Sequence, residues 1–407
     1  MNKLLNIFSI ILFFSFVFLK NANARPEYAV KHGYTQCSVC HISPFGGGAR
    51  RVDGKLYGSK DFETGVQSLQ NYFSGDLRAI TFFPAHPEKT TNGIALMSAI
   101  PAVNIPLTQD KQGVSTHLVS AFNLGGLAPT GVREAYLLVE PSHPNNGNSF
   151  FSAIQFGRFN VPFGLMTDEH RTWTRIQSKT SINDFEMGAA LSGDPLFNFH
   201  YDFALTTGFQ NGGMTFSGNK DLPWALILNL RWNPVIAPVI LGTSYSRHRT
   251  LNPQIDYTPY AYSFYTGLSG HRLTHGSLPF TLLGEFQIAR GWNDTNTNPS
   301  LASFIPASDT AYQDAIKNSE SLGLYLGLDY EISQRWTLQY KFENLVLDRL
   351  YTADGYIRHS AGFKWNINSN IILTSRYEIA RAMRPGIQAD NARAARDAFF
   401  TLLHVWL

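Results

Sequence analysis

Beyond residue 24 the chain never runs roughly 18 apolar residues in a row, so nothing in it can cross a bilayer as a helix. What it has instead is a period of two. Trp336, Leu338, Tyr340 and Phe342 alternate with Thr337, Gln339, Lys341 and Glu343, and Phe197, Phe199, Tyr201, Phe203 and Leu205 alternate with Asn198, His200, Asp202 and Thr206. Leu322, Leu324, Leu326, Leu328 and Tyr330 interleave with Gly323, Tyr325, Gly327 and Asp329. Ile357, Ala361, Phe363 and Trp365 oppose Arg358, Ser360, Lys364 and Asn366, with His359 breaking the apolar set. Successive side chains of a strand point to opposite faces, so each segment describes a sheet with one apolar and one polar face. The polar face carries charges in mid-strand, which suits a wet lumen.

Sixteen such segments are expected, near 75–84, 93–107, 113–123, 132–140, 150–159, 185–192, 197–209, 223–232, 237–247, 260–273, 279–290, 320–331, 335–348, 356–366, 369–381 and 397–407. The connections are as telling as the strands. Thr108–Gln112, Gly193–Leu196, Thr274–Leu278, Ile332–Gln334 and Ile367–Asn368 are short and follow even-numbered strands, whereas 160–184, 210–222, 248–259, 291–319 and 382–396 are long and follow odd ones. A soluble β-sandwich also alternates apolar and polar residues but gives no reason for loops that alternate in length. A closed, membrane-spanning barrel does, with short turns at one rim and long loops at the other. The expected fold class is therefore all-β: a transmembrane outer-membrane barrel of about 16 antiparallel strands with both termini on the periplasmic side, preceded by a small N-terminal segment.

Residues 1–24 read as an export signal: Lys3 supplies the charged start, Leu4 to Leu19 the apolar stretch, and Ala22-Asn23-Ala24 the cleavage site. The alternative, a membrane anchor, asks for roughly 20 apolar residues, and Asn6, Ser9 and Ser15 interrupt this stretch. Residues 25–74 form a head rich in glycine and poor in large apolar side chains, too small to make a core of its own. Residues 75–407 form the barrel. Removing the signal takes Lys3 and Lys20 from 33 basic residues and nothing from 30 acidic ones, leaving a nearly neutral chain with no charge excess suited to nucleic acid. No G-x-S-x-G, H-E-x-x-H or phosphate loop occurs, so no catalytic set emerges.

The head carries the one strong chemical motif. Cys37-Ser38-Val39-Cys40-His41 is a C-x-x-C-H run, and it uses both cysteines of the chain. Two thiols at this spacing can each bond a vinyl group of one haem, and the next imidazole can sit under the iron as its proximal ligand. One covalent haem c is thus the expected cofactor. A zinc site is the alternative and would need a fourth ligand; a disulfide is a third reading, which the following His disfavours. For the distal iron position His32 is a candidate, Met97, Met166, Met187 and Met214 are others, and an open sixth position is equally consistent. Arg50 and Arg51 are candidates for the haem propionates, since a guanidinium meets a carboxylate with two hydrogen bonds; the bland reading is a solvated basic pair. Asp168, Glu169 and His170, in the long loop after the fifth strand, have donors that suit iron, and a solvated loop segment is the plainer reading.

Three resemblances follow from these residues. The final stretch, Phe399 to Leu407, resembles the terminal strand by which bacterial outer-membrane proteins are recognised for insertion. The run Gly157-Arg158-Phe159-Asn160-Val161-Pro162-Phe163-Gly164-Leu165 resembles a porin motif at which the chain leaves the wall, which implies a loop folded inward to narrow the pore. With a signal, one C-x-x-C-H near the mature start and a barrel behind it, the chain resembles the fused monohaem cytochrome–porins, some of which come from iron-oxidising bacteria. In motif that likeness is specific only across Tyr34–Gly58. The Ser43-Pro44-Phe45-Gly46-Gly47-Gly48 continuation departs from the iron-oxidising members. The resemblance implies thioether attachment at Cys37 and Cys40, axial ligation by His41, and an outer-membrane electron-transfer protein of a Gram-negative bacterium. Its partners would be a periplasmic c-type cytochrome or other carrier, an extracellular electron donor or acceptor, and outer-membrane lipid. Any activity would at most be redox, such as iron(II) oxidation. The alternative function is a diffusion porin for small solutes with a haem-bearing plug or tether.

Overall fold

The computed structural model describes Val30, His41 and Ser43 and, from residue 72 to 406, all but 85–92, 110–112, 127–129, 142–148, 166–171, 176–177, 179, 181–183, 197, 209–223, 235–236, 250–257, 275, 292–317, 347, 350–354, 369 and 383–396. Sixteen strands form one sheet: β1 Phe73–Pro84, β2 Gly93–Gln109, β3 Val114–Asn123, β4 Gly131–Pro141, β5 Ser149–Asn160, β6 Phe185–Leu196, β7 Phe199–Thr206, β8 Trp224–Trp232, β9 Val239–Arg249, β10 Tyr260–Ser269, β11 Phe280–Arg290, β12 Glu320–Glu331, β13 Trp336–Val346, β14 Gly355–Asn368, β15 Ile371–Ala382 and β16 Ala398–Trp406. Each pairs antiparallel with its sequence neighbours, and β1 closes on β16 from Asp76↔Trp406 to Pro84↔Ala398. No edge is left, so every strand finds its backbone partners within the barrel.

The period of two becomes an outside and an inside. Ile94, Phe150, Phe264, Leu326, Leu328 and Leu338 stand exposed on the outer wall, a surface that is stable against hydrocarbon rather than water. Aromatic clusters mark its two margins. Trp336 stacks on Trp365 at 5.4 Å near the short-turn rim, and Tyr245, Tyr260 and Tyr262 gather near the long-loop rim. The lumen face carries Glu186, Asp202, Glu285, Lys341, Glu343, Arg358, Lys364 and Glu378, all buried within the barrel. His359, the residue that breaks the apolar pattern, does lie on the outer wall. Its Nδ1 is 2.8 Å from the Tyr340 hydroxyl and its ring lies against Phe342, so one ring nitrogen is hydrogen-bonded without water.

Three local expectations shift. The turn expected at Ile367–Asn368 is the end of β14, which runs on to Asn368. The tenth strand stops at Ser269 rather than running to 273, because the Ser269 hydroxyl accepts from the Arg272 amide and caps a single helical turn, α1 (Gly270–Leu273). The turn expected at Gly193–Leu196 is instead the end of β6. The chain reverses around Asn198, which takes φ 61°, a left-handed conformation that Asn tolerates better than most residues.

The lipid-facing assignment has a direct consequence. Leu326→Arg, near the middle of the outer wall of β12, should cost about 2–4 kcal/mol of folding free energy. Reversible urea unfolding in lipid vesicles measures it, and Gln339→Arg on the lumen face is expected to cost less than half as much.

Candidate functional site

The lumen is crossed by the loop that leaves β5. Phe159, Val161 and Phe163 pack against a wall of small side chains that includes Ala153, Ala190, Ala204, Ala225, Ala261 and Ala289. Pro162 has no amide hydrogen to lose and so suits a segment leaving the ladder. At Gly164 the backbone takes φ +64°, and a Cβ there would overlap the Glu285 carboxylate, so both the conformation and the close approach call for glycine. The Gly164 amide donates to Ser244 Oγ at 2.8 Å and the Leu165 amide to Glu285 Oε1 at 3.2 Å. Farther along, the Trp173 amide donates to Glu343 Oε1 at 2.8 Å, Trp173 packs on Tyr356, and the Arg358 guanidinium lies 4.3 Å over the Trp173 ring. Asn160 Nδ2 donates to the Asp184 carbonyl at 2.8 Å and ties the two ends of the loop together. The inward loop expected from Pro162-Phe163-Gly164 is thus what the chain forms, anchored on β9, β11, β13 and β14.

Its central anchor is an ion pair. Arg175 lies 3.3 Å from Glu285, and both side chains are essentially sealed from solvent, at 2% and 0% exposure. Glu285 also accepts from Ser263 Oγ at 2.7 Å. A hydrogen-bonded chain runs from the same loop along the wall, through β9, β8, β7 and β6. His200 lies between Asp194 Oδ1 at 2.7 Å and Asp202 Oδ1 at 2.8 Å. Asp202 Oδ2 accepts from Arg231 Nη2 and Asn229 Nδ2, and Asn229 Oδ1 accepts from Tyr265 and from the Ser244 hydroxyl that holds Gly164. Sequence reasoning marked Asp202, His200 and Glu343 as polar-face residues but assigned none of them a role. Arg175 and Glu285 carry no local signal that would have paired them.

Beneath this loop one residue of the head is in place. Val30 is buried with Leu165, Ile240, Tyr265, Leu283 and Tyr325 on the lumen side. Its side chain fills the space a Cβ on Gly267 would need. Ile240, Gly267 and Leu283 all lie toward the short-turn ends of their strands, so Val30 sits between that rim and the inward loop.

Of the expected haem residues, His41 is described and partly buried, and Ser43 two residues on is buried. Cys37, Cys40, His32, Arg50 and Arg51 lie outside the described residues, as do Asp168, Glu169, His170, Met166 and Met214. The donor set fits a c-type haem, with two thiols for the vinyl groups and an imidazole partly withdrawn from water for the iron. Met187 alternates with lumen-facing Glu186 and so points to the outer wall, away from any iron in the pore. Among the described residues no group of three or more His, Cys, Asp or Glu side chains could hold a metal ion.

No family model matches the chain, and no curated protein does. Solved structures do. The outer-membrane channel DcaP of Acinetobacter baumannii aligns over 82% of this chain and 96% of its own, at 11% identity and a TM-score of 0.57. The anion-selective porin from Comamonas acidovorans aligns over 82% and 98%, at 7% and 0.56. A loop L8 deletion mutant of the Vibrio cholerae outer membrane protein OmpT aligns over 82% and 98%, at 12% and 0.56. The chain has the porin fold. At these identities the likeness is one of architecture alone, and the roles of the lumen residues rest on their own geometry.

Removing one partner of a buried ion pair strands the other. Glu285→Ala and Arg175→Ala should therefore each destabilise the barrel by roughly 3 kcal/mol, while the double variant loses no more than about 1 kcal/mol beyond either single one. Urea unfolding of the four proteins tests the pairing, and additive losses would show that the two side chains act separately.

Proposed function

We propose that this chain is an outer-membrane electron-transfer protein with one covalent c-type haem at or in the barrel lumen. It would move electrons between an extracellular donor or acceptor, Fe(II) among them, and a periplasmic cytochrome. The observation that carries the reading is the single C-x-x-C-H motif on a segment whose Val30, seven residues before Cys37, is packed inside the pore. Seven residues reach at most about 25 Å when fully extended. The attachment site therefore stays within the thickness of one membrane of the Val30 seat, and is not on a long free arm. When bound, the haem supplies a one-electron iron couple. The chain's own part is to hold it through Cys37 and Cys40, to ligate through His41, and to limit water through the inward loop and the apolar seat. On this reading the barrel lies in the outer membrane with both termini periplasmic, a placement that the start of β1 and the end of β16 at the short-turn rim support.

A second reading, a diffusion porin with a haem-bearing plug, is favoured by the charged lumen wall. The two separate cleanly. Protein purified from outer membranes should show a covalent-haem absorption spectrum that changes on reduction, and little ionic conductance in planar bilayers. A reducible spectrum together with a large steady conductance favours the plug; no covalent haem removes both. His41→Ala should lose the low-spin spectrum and keep barrel insertion.

The seat of the head is tested on its own. Gly267→Leu places a side chain where Val30 lies, and residues 25–74 should then become at least tenfold more susceptible to trypsin while the barrel core stays resistant. Unchanged cleavage would place the head elsewhere.

A further inference from the structure

Several lumen acids each hold a strong base. Asp202 meets Arg231, Glu285 meets Arg175, Glu343 meets Arg358 and Asp329 meets Lys364. That is the expected arrangement, because a buried carboxylate is costly until a counter-charge offsets it. Glu186 departs from it. Its side chain is 0% exposed, and its ion-pair contact is with His248, whose Nδ1 lies 3.8 Å from Glu186 Oε1. This is too long for a hydrogen bond. Among the described residues no donor reaches Oε1. The other oxygen is held, since the Thr206 hydroxyl donates to Oε2. One carboxylate oxygen is therefore fixed while the other faces an imidazole nitrogen.

Strand register explains how these residues meet. β6 and β9 are three strand spacings apart, about 14 Å along the wall. Between them the side chains are small. His248 is in register with Ala225, Ala225 with Thr206, and Thr206 with Gly188. Glu186 is the next lumen-facing residue along β6, so it and His248 reach toward each other over Ala225 and Thr206. Thr206 ends β7, Glu186 is the second residue of β6, and His248 is the last but one of β9. All three stand at the long-loop mouth of the lumen, the end away from Val30.

The spacing of the two donors suits an ion. Donors that each lie about 2.1 Å from one cation are roughly 3.0 Å apart at right angles and roughly 4.2 Å apart when opposite. The observed 3.8 Å falls within that interval. An imidazole nitrogen beside a carboxylate oxygen favours a first-row divalent cation over magnesium or calcium. The Thr206 hydroxyl plays the part of an outer-shell partner, orienting the carboxylate so that Oε1 is the ligating atom.

We infer that Glu186 Oε1 and His248 Nδ1 bind one first-row divalent transition-metal cation at the long-loop mouth of the lumen, with Thr206 as the positioning residue. Two side chains converge here, where a closed structural site takes four. Water fills the other positions, so the ion exchanges with the medium. The inference rests on the lumen wall and is independent of the haem.

The test is equilibrium dialysis of the purified full-length protein in detergent against micromolar cobalt(II) chloride, with bound metal counted by elemental mass spectrometry. Glu186→Gln keeps the size of the side chain and an oxygen for Thr206, and His248→Gln removes the imidazole. Each should bind one equivalent of cobalt(II) fewer than the wild-type protein, which separates this site from any other that the chain contains. Thr206→Val should weaken binding of that equivalent about tenfold. His271→Gln, at the short-turn rim, should leave it unchanged. A thousandfold excess of magnesium should not displace it. All variants are first checked for the trypsin resistance of the folded barrel. Equal cobalt uptake by the wild-type protein and a folded Glu186→Gln variant overturns the inference, as it would if the carboxyl carried a proton or a water molecule bridged the pair. Full uptake by a folded His248→Gln variant, or displacement by magnesium, also overturns it, because the imidazole would then take no part.

Discussion

A backbone amide in hydrocarbon has no water to turn to, and the closure of β1 on β16 is what answers that constraint for all sixteen strands. The consequences run through the molecule. A closed antiparallel sheet with an even strand count puts both of its ends at one rim. It also gives every side chain a choice of only two environments, lipid or lumen. Even the seam is finished on the inside, where His404 Nε2 lies 2.7 Å from the Asp76 carboxylate and Arg78 lies 2.8 Å from it. The His404–Asp76 contact joins the first strand to the last and cannot form until the barrel has closed.

Once the wall is closed, the lumen becomes the place where polar groups are satisfied. Small side chains on β5 to β8 and on β10 and β11 leave room for the β5–β6 loop, and acids on β11 and β13 receive its amides and its arginine. Ser244 and Asn229 join this loop to the Asp194–His200–Asp202 chain, so its bracing extends along the wall as far as β6. Val30 enters the remaining space below, against residues that are apolar although they face the pore. A lumen built only for water would gain nothing from Ile240, Leu283 and Leu165 at that depth. They make sense as a seat for a segment of chain that has too little apolar mass to fold alone.

The same closure separates two regions. Inside, near the short-turn rim, Val30 is packed against the pore wall. Outside, at the opposite rim, stand Arg133 and Arg158 over the Phe185 ring. The barrel keeps them apart by about the thickness of a membrane.

The number and placement of the strands were legible in the sequence because alternation with period two is a local property, and each strand obeys it on its own. Loop lengths, and with them the two rims, were legible for the same reason. So was the inward turn at Pro162-Phe163-Gly164, whose residue types suit a chain leaving the ladder. The C-x-x-C-H motif is likewise local, and the haem attachment proposed for it rests on residue type and spacing. What only the tertiary structure decided is which distant residues meet. Arg175 and Glu285 stand 110 residues apart, Gly164 and Ser244 80 apart, and Val30 rests on Gly267. Arg133 and Arg158 reach the Phe185 ring only because β4, β5 and β6 are neighbours in the barrel. The barrel's curvature sets these meetings. No segment of the chain carries that curvature by itself, because it arises only when the last strand bonds to the first.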